Sequence, residues 1–188
     1  MMTESDQAVP WYRRVGAVLL FYPTLLWNMA LGRWLKLRPW YSRIDRDLIV
    51  GAYPFARDVP AMQREGVAAV VNTCYEYAGP LDAYAKAGIE QFHMPTVDFT
   101  HPRLEDIQAA VEFIQRFAAE SKTTYVHCKA GRARSVTVAL CWLVKYRGLT
   151  ASQAQALLLD RRPHVNPRID QRPVVRRFIA QMQSVKRS

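Results

Sequence analysis

The sequence predicts an α/β fold: a central, mostly parallel sheet of about four to five strands with helices on both sides, preceded by an N-terminal apolar helix. Two patterns carry that prediction. From residue 39 onward, strand-like runs alternate with helix-like ones, and the runs VAAVVN (Val67 to Asn72) and TTYVH (Thr123 to His127) are short, apolar and β-branched, as strands buried on both faces are. Ahead of them, residues 15–32 form an uncharged stretch of different character.

A chain of 188 residues, 50% of them hydrophobic, suits one compact domain plus a short extension. The boundary falls at residue 38, with an apolar and basic segment over 1–38 and the α/β domain over 39–188. The stretch VGAVLLFYPTLLWNMALG is flanked by Arg13 and Arg14 before it and by Arg33, Lys36 and Arg38 after it. Its length approaches the ~20 residues that span a bilayer, but Pro23 interrupts any straight helix there. Trp11, Tyr12, Tyr22, Trp27, Trp34, Trp40 and Tyr41 favour a membrane interface, so a helix lying in one leaflet fits as well. A helix packed on the domain is the alternative. A cleaved signal peptide ending near Ala30 and Gly32 is disfavoured, because export would expose a reactive thiol to oxidation, and Glu4 and Asp6 speak against a mitochondrial transit peptide.

Within the domain, Leu48 to Ala52 reads as the first strand, Val59 to Glu65 as a short helix, and Val67 to Asn72 as a buried strand. Leu81 to Ala87 is helical and Ile89 to Met94 extended. Leu104, Ile107, Val111, Ile114 and Ala118 recur at helical spacing, in a helix ending near Ser121. The strand Thr123 to His127 runs into CKAGRAR and then into the apolar SVTVALCWLVKY, which is strand, loop and buried helix. Thr150 with Gln153 forms a capping box for a helix through Leu159, and Asp170 is placed to cap a last helix carrying Val174, Val175, Phe178 and Ile179.

The 26 Lys and Arg against 16 Asp and Glu give a net charge of +10, which favours anionic partners. The segment after residue 171 contains Arg172, Arg176, Arg177, Lys186 and Arg187 and no acid. Nucleic acid is not expected as a partner, since no stacking motif or groove-reading helix accompanies the charge. Cys74, Cys128 and Cys141 form neither a disulfide framework nor a metal-ligand cluster, so a reduced compartment is expected. Oligomeric state is not legible.

The chemistry concentrates in His127 to Ser135, H-C-K-A-G-R-A-R-S. A phosphate dianion needs a ring of donors. Backbone N–H groups from Lys129 through Ala130, Gly131, Arg132 and Ala133 to Arg134, turned inward by the glycine and backed by a helix N-terminus, supply one. Arg134 adds a planar fork for two phosphate oxygens. The same donors stabilise a thiolate at Cys128, which becomes the nucleophile. Ser135 can bond the sulfur and help it leave, and His127 braces the loop. A lone Cys after a strand is ordinarily packing; here His, Gly, Arg and Ser all accompany it. Lys129 and Arg132 make the loop basic enough for a substrate with more than one negative charge. No metal or other cofactor is required, because Arg134 and the amides do the electrostatic work.

His127 to Ser135 resembles the H-C-x5-R-S signature of the protein tyrosine phosphatase superfamily, in its compact dual-specificity branch. Within that branch it is most similar to the mitochondrial-type phosphatidylglycerophosphate phosphatases, whose loop reads HCKAGRSRS, differing only at Ala133. LLFYPTLLW (Leu19 to Trp27), WYSRID (Trp40 to Asp45), VGAYPF (Val50 to Phe55), AGIEQF (Ala87 to Phe92) and TVDFT (Thr96 to Thr100) match in the same order.

The resemblance implies a cysteine-dependent phosphatase that acts on phosphatidylglycerophosphate at a membrane surface, with the catalytic domain on the cytoplasmic side, or the matrix side of the inner membrane in a eukaryote. It makes Asp98 the general acid, ahead of Asp106 or Asp82. Taken alone, Asp98 reads as a turn residue. The family's acidic-acidic-Tyr-Glu motif stands here as Thr73-Cys74-Tyr75-Glu76, which places Tyr75 and Glu76 in the substrate-binding floor. Cys74 is read as a small buried filler, with a reversible disulfide to Cys128 as the alternative. A dual-specificity protein phosphatase, a phosphoinositide phosphatase and, more remotely, an inactive phosphate-binding adaptor are the competing functions. Arsenate reductases and sulfurtransferases share a cysteine loop but not the upstream Asp with Arg at the sixth position.

Overall fold

The computed structural model describes residues 38–98 and 100–185, so the expected N-terminal apolar segment lies outside the described residues apart from Arg38. The sheet contains β1 (Tyr41–Arg43), β2 (Leu48–Ala52), β3 (Val67–Cys74), β4 (Glu90–Thr96) and β5 (Thr123–Cys128) in the spatial order β1-β2-β5-β3-β4. The four longer strands run parallel, and β1 pairs antiparallel with β2. β1 is an edge strand that sequence reading did not find. YSR has no period long enough to read, and its pairing of Tyr41 with Gly51 exists only once the chain has turned back.

On one face lie α1 (Val59–Arg64) and α2 (Leu81–Ala87); on the other lie α3 (Leu104–Ala119), α4 (Arg134–Arg147), α5 (Ala151–Arg161) and α6 (Pro173–Val185). Strand alternation sorts the core between them. Ile49, Val70 and Tyr125 pack with Val59, Met62 and Tyr84 on the first face. Leu48, Val50, Val71 and Val126 pack with Ile107, Ile114, Leu140 and Trp142 on the second. The large apolar residues of LEDIQAAVEFIQRFAA are all buried, as their spacing dictates. By contrast, α4 is buried through nearly its whole length, because it is sandwiched between the sheet and three neighbouring helices.

The Thr150 capping box forms as expected, with Gln153 N donating to Thr150 Oγ1 at 3.2 Å and Thr150 N to Gln153 Oε1 at 2.9 Å. Asp170 does not cap the last helix. That helix opens at Pro173, whose missing N–H suits a first-turn position, and Asp170 Oδ1 makes no hydrogen bond.

Topology places the site. β5 is the central strand, flanked in parallel by β2 and β3, and its carboxyl end delivers Cys128 between the loops that follow those neighbours. Trp142 is fully buried, with the Arg147 guanidinium 4.3 Å from its ring centroid. Replacing it with alanine is expected to cost about 3–5 kcal/mol, since a large cavity opens where α4 meets the sheet. Urea denaturation of Trp142→Ala against the parent measures this.

Candidate active site

The loop between β5 and α4 is held from outside by its carbonyls. Arg162 Nη2 donates to Ala130 O at 3.1 Å, Arg162 Nε to Gly131 O at 2.8 Å, and Asn166 N to Arg132 O at 2.9 Å. Because each peptide is planar and trans, a carbonyl pulled outward turns the following N–H inward. The amides of Gly131, Arg132 and Ala133 therefore face the loop's interior. Gly131 is required twice over. Its φ is +64°, and a Cβ there would stand 2.5 Å from the backbone carbonyl of Gly51.

Cys128 is 4% exposed at the floor of this ring. Burial alone pushes its thiol pKa up, but the Arg134 guanidinium, the Ser135 hydroxyl and the backbone N–H groups of Ser135 and Arg132 outweigh it, bringing the pKa down to about 7. Ser135 Oγ lies 3.4 Å from the sulfur. Arg134, 2% exposed, donates through Nη1 to Glu76 Oε2 at 3.0 Å and to Thr96 O at 2.6 Å, and its Nη2 stands 3.1 Å from Asp98 Oδ1. Lys129 Nζ pairs with the other oxygen of Asp98.

Glu76 is the second anchor. One carboxylate oxygen accepts from Arg134 and the other from the backbone N–H of Asp98 at 2.8 Å. Sequence reading placed Glu76 among groups that touch substrate; the structure shows its carboxylate engaged by Arg134 and by the backbone N–H of Asp98. With its side chain 2% exposed and both oxygens engaged, it positions the arginine and the Asp98 turn. Tyr75, by contrast, is 45% exposed. Asn72 shapes the connecting loop, with Oδ1 accepting from Cys74 N at 2.9 Å and Nδ2 donating to Tyr77 O at 2.7 Å.

His127 is buried beside the Tyr77 and Tyr125 rings, and burial pushes its pKa down to about 3. It is neutral at physiological pH, and neither ring nitrogen has a hydrogen-bond partner among the described residues. Cys74 is fully buried and free, and burial pushes its thiol well up, as a packing residue's would be. Cys128, Arg134, Ser135, Asp98 and Lys129 thus converge, while Arg132 is solvent-exposed with Nε donating to His164 O at 2.8 Å. Among the described residues, no group of His, Cys, Asp or Glu could hold a metal ion.

A buried thiol at a strand end, ringed by inward amides and an arginine six residues on, is the arrangement of a cysteine phosphatase. Consistent with it, the model of the dual-specificity phosphatase catalytic domain matches residues 48–181. The chain belongs to that family. This phosphatase is 41% identical over 166 residues to the phosphatidylglycerophosphate phosphatase PTPMT2 of Arabidopsis thaliana, covering 87% of this chain and 73% of the relative. It is 33% identical over 180 residues to the mouse phosphatidylglycerophosphatase and protein-tyrosine phosphatase 1, covering 91% of this chain and 93% of that one. The crystal structure of PTPMT1 in complex with PI(5)P superposes with a TM-score of 0.71 at 27% identity, over 78% of this chain and 99% of that one.

Sequence reading missed Arg162. It is 1% exposed, and besides the two loop carbonyls it donates through Nη1 to Pro39 O at 3.0 Å and Ser42 Oγ at 3.2 Å. It lies in DRRPHVNPR, where nothing local marks which arginine turns inward.

Two outcomes follow from this geometry. Alkylation of Cys128 by iodoacetamide is expected to be half-maximal near pH 7, falling below it as the thiol is protonated. In Arg134→Ala the midpoint moves up, because burial stays and the cation is gone. Arg162→Ala frees the loop carbonyls, and activity is expected to fall about 100-fold, as small displacements of reacting groups cost that much. Steady-state kinetics alongside a thermal melt separates this from unfolding.

Proposed function

We propose that this phosphatase hydrolyses phosphatidylglycerophosphate to phosphatidylglycerol through a phosphocysteine intermediate. The observation that carries the mechanism is the Cys128 thiol, lowered to about 7 beside Arg134 with Asp98 across the site. Cys128 Sγ attacks phosphorus in line, forming the S–P bond as the P–O bond breaks. Arg134 and the loop amides hold the transferring oxygens. Asp98 gives its proton to the departing glycerol alkoxide, a poor leaving group without it. Water then attacks the phosphocysteine, Asp98 takes its proton, and Ser135 Oγ stabilises the departing thiolate.

The substrate assignment is supported by the names of the Arabidopsis and mouse relatives and by the basic loop, where Lys129 and Arg132 add charge beyond Arg134. A membrane surface as the place of action is supported by the apolar, aromatic-rich and basic sequence of residues 1–38. The catalytic domain then lies on the cytoplasmic side, or on the matrix side in a mitochondrion. The mouse relative's name also joins protein-tyrosine phosphatase to the lipid activity, which makes phosphopeptide hydrolysis the second reading.

Phosphate release by the full-length protein from phosphatidylglycerophosphate in mixed micelles, beside phosphoinositides and phosphotyrosine peptides, tests this. A strong preference for phosphatidylglycerophosphate is expected, and a preference for peptides would overturn the substrate while keeping the chemistry. Cys128→Ser is expected to abolish release, and Asp98→Asn to lower kcat by about 100-fold or more, with the smallest loss on esters whose leaving group needs no proton.

A further inference from the structure

Near the loop, the partly buried guanidinium of Arg172 has no carboxylate partner among the described residues. Arg172 immediately precedes α6, and its Nη1 donates to Thr137 Oγ1 at 2.9 Å. That hydroxyl donates in turn to Ala133 O, also at 2.9 Å, so the guanidinium is tethered to the first turn of α4, directly behind the phosphate loop. No carboxylate pairs with Arg172 among the described residues. Burial lowers its pKa, and the Cys128 sulfur is the anion whose field opposes that. His101, just past the Asp98 turn, also feels it: burial and then Arg172 push the imidazole pKa down, keeping the ring neutral.

Burying a guanidinium away from any carboxylate is unfavourable unless its donors are otherwise engaged, as those of Arg162 are by backbone carbonyls and a hydroxyl; among the described residues the Arg172 side chain has just the Thr137 hydroxyl. The phosphoryl group under attack already has its ring of amides and the Arg134 fork. The surplus charge of Arg172 therefore answers to a different anion, one arriving with the substrate.

We propose that Arg172 is a specificity-determining residue that binds a second anionic group of the substrate, a phosphodiester separated from the reacting phosphate by one glycerol unit. This rests on the lipid reading above and deepens it. It gives a phosphomonoester that carries a nearby phosphodiester an advantage over a phosphotyrosine, which has no such group on its own side chain.

The test uses the full-length protein, Arg172→Gln and Arg172→Lys with three substrates: phosphatidylglycerophosphate in micelles, its deacylated water-soluble headgroup glycerophosphoglycerophosphate, and p-nitrophenyl phosphate. For Arg172→Gln, kcat/KM on both diester-bearing substrates is expected to fall about tenfold relative to p-nitrophenyl phosphate, mostly through KM, with Arg172→Lys recovering part of it. An equal loss on all three would show that Arg172 only braces the loop through Thr137, and would overturn the proposal. So would a loss confined to the micellar lipid, which would make it a membrane-surface contact, or no loss at all. If the parent protein prefers peptides, the lipid reading fails, yet the ratio between the soluble headgroup and p-nitrophenyl phosphate still decides the role of Arg172.

Discussion

The rest of the site depends on one buried cation. Arg134 sits with 2% of its surface exposed, and a guanidinium removed from water is tolerated only where its charge is answered and its donors are engaged. Four segments converge to answer it: Glu76 from the loop after β3, the Thr96 carbonyl at the end of β4, Asp98 from the turn beyond, and Cys128 at the end of β5. Because β3, β4 and β5 run parallel, their carboxyl ends lie at one edge of the sheet, and only there can groups so far apart in sequence surround one side chain. The same cation is what brings the thiol down to about 7 against the pull of burial. Fold and nucleophile are therefore coupled through a single electrostatic requirement.

Around this centre the protein builds a second layer of hydrogen bonds. An isolated loop of small residues has no reason to keep its amides pointing inward, since each N–H turned from water must find an acceptor that arrives only with substrate. Here the cost is offset on the outside, where the loop's carbonyls are taken up by Arg162 and Asn166. Arg162 also reaches Pro39 O and Ser42 Oγ, so the chain entering the domain, the segment after α5 and the phosphate loop share one guanidinium.

What the sequence made legible follows from the range of the interactions. The buried strands, the amphipathic α3 and the Thr150 box declare themselves through local periodicity and capping, and all are present. The loop motif is legible because strand, turn and helix N-terminus are contiguous. Asp98 and Glu76 were singled out by resemblance rather than by pattern, and the role of Glu76 shifted from floor to bridge once both oxygens were seen to be engaged. β1, the inward turn of Arg162 and the tether of Arg172 to Thr137 were illegible. Each depends on a contact between distant segments, and an arginine in a basic run looks the same whether it faces water or a carbonyl.

The two carboxylates beside Arg134 differ in a way that bears on turnover. Without substrate, Arg134 and Lys129 are neutralised by protein groups, so the positive pocket is not left bare. A phosphate dianion entering the loop competes for those cations. Glu76 cannot readily yield, because its other oxygen holds the backbone N–H of Asp98, and leaving would cost two buried bonds at once. The Asp98 carboxylate pairs with the two cations for which phosphate competes, and its side chain retains 14% exposure. The exchange of ion pairs thus falls on Asp98, the general acid of the proposed mechanism, while Glu76 keeps the turn carrying it in place.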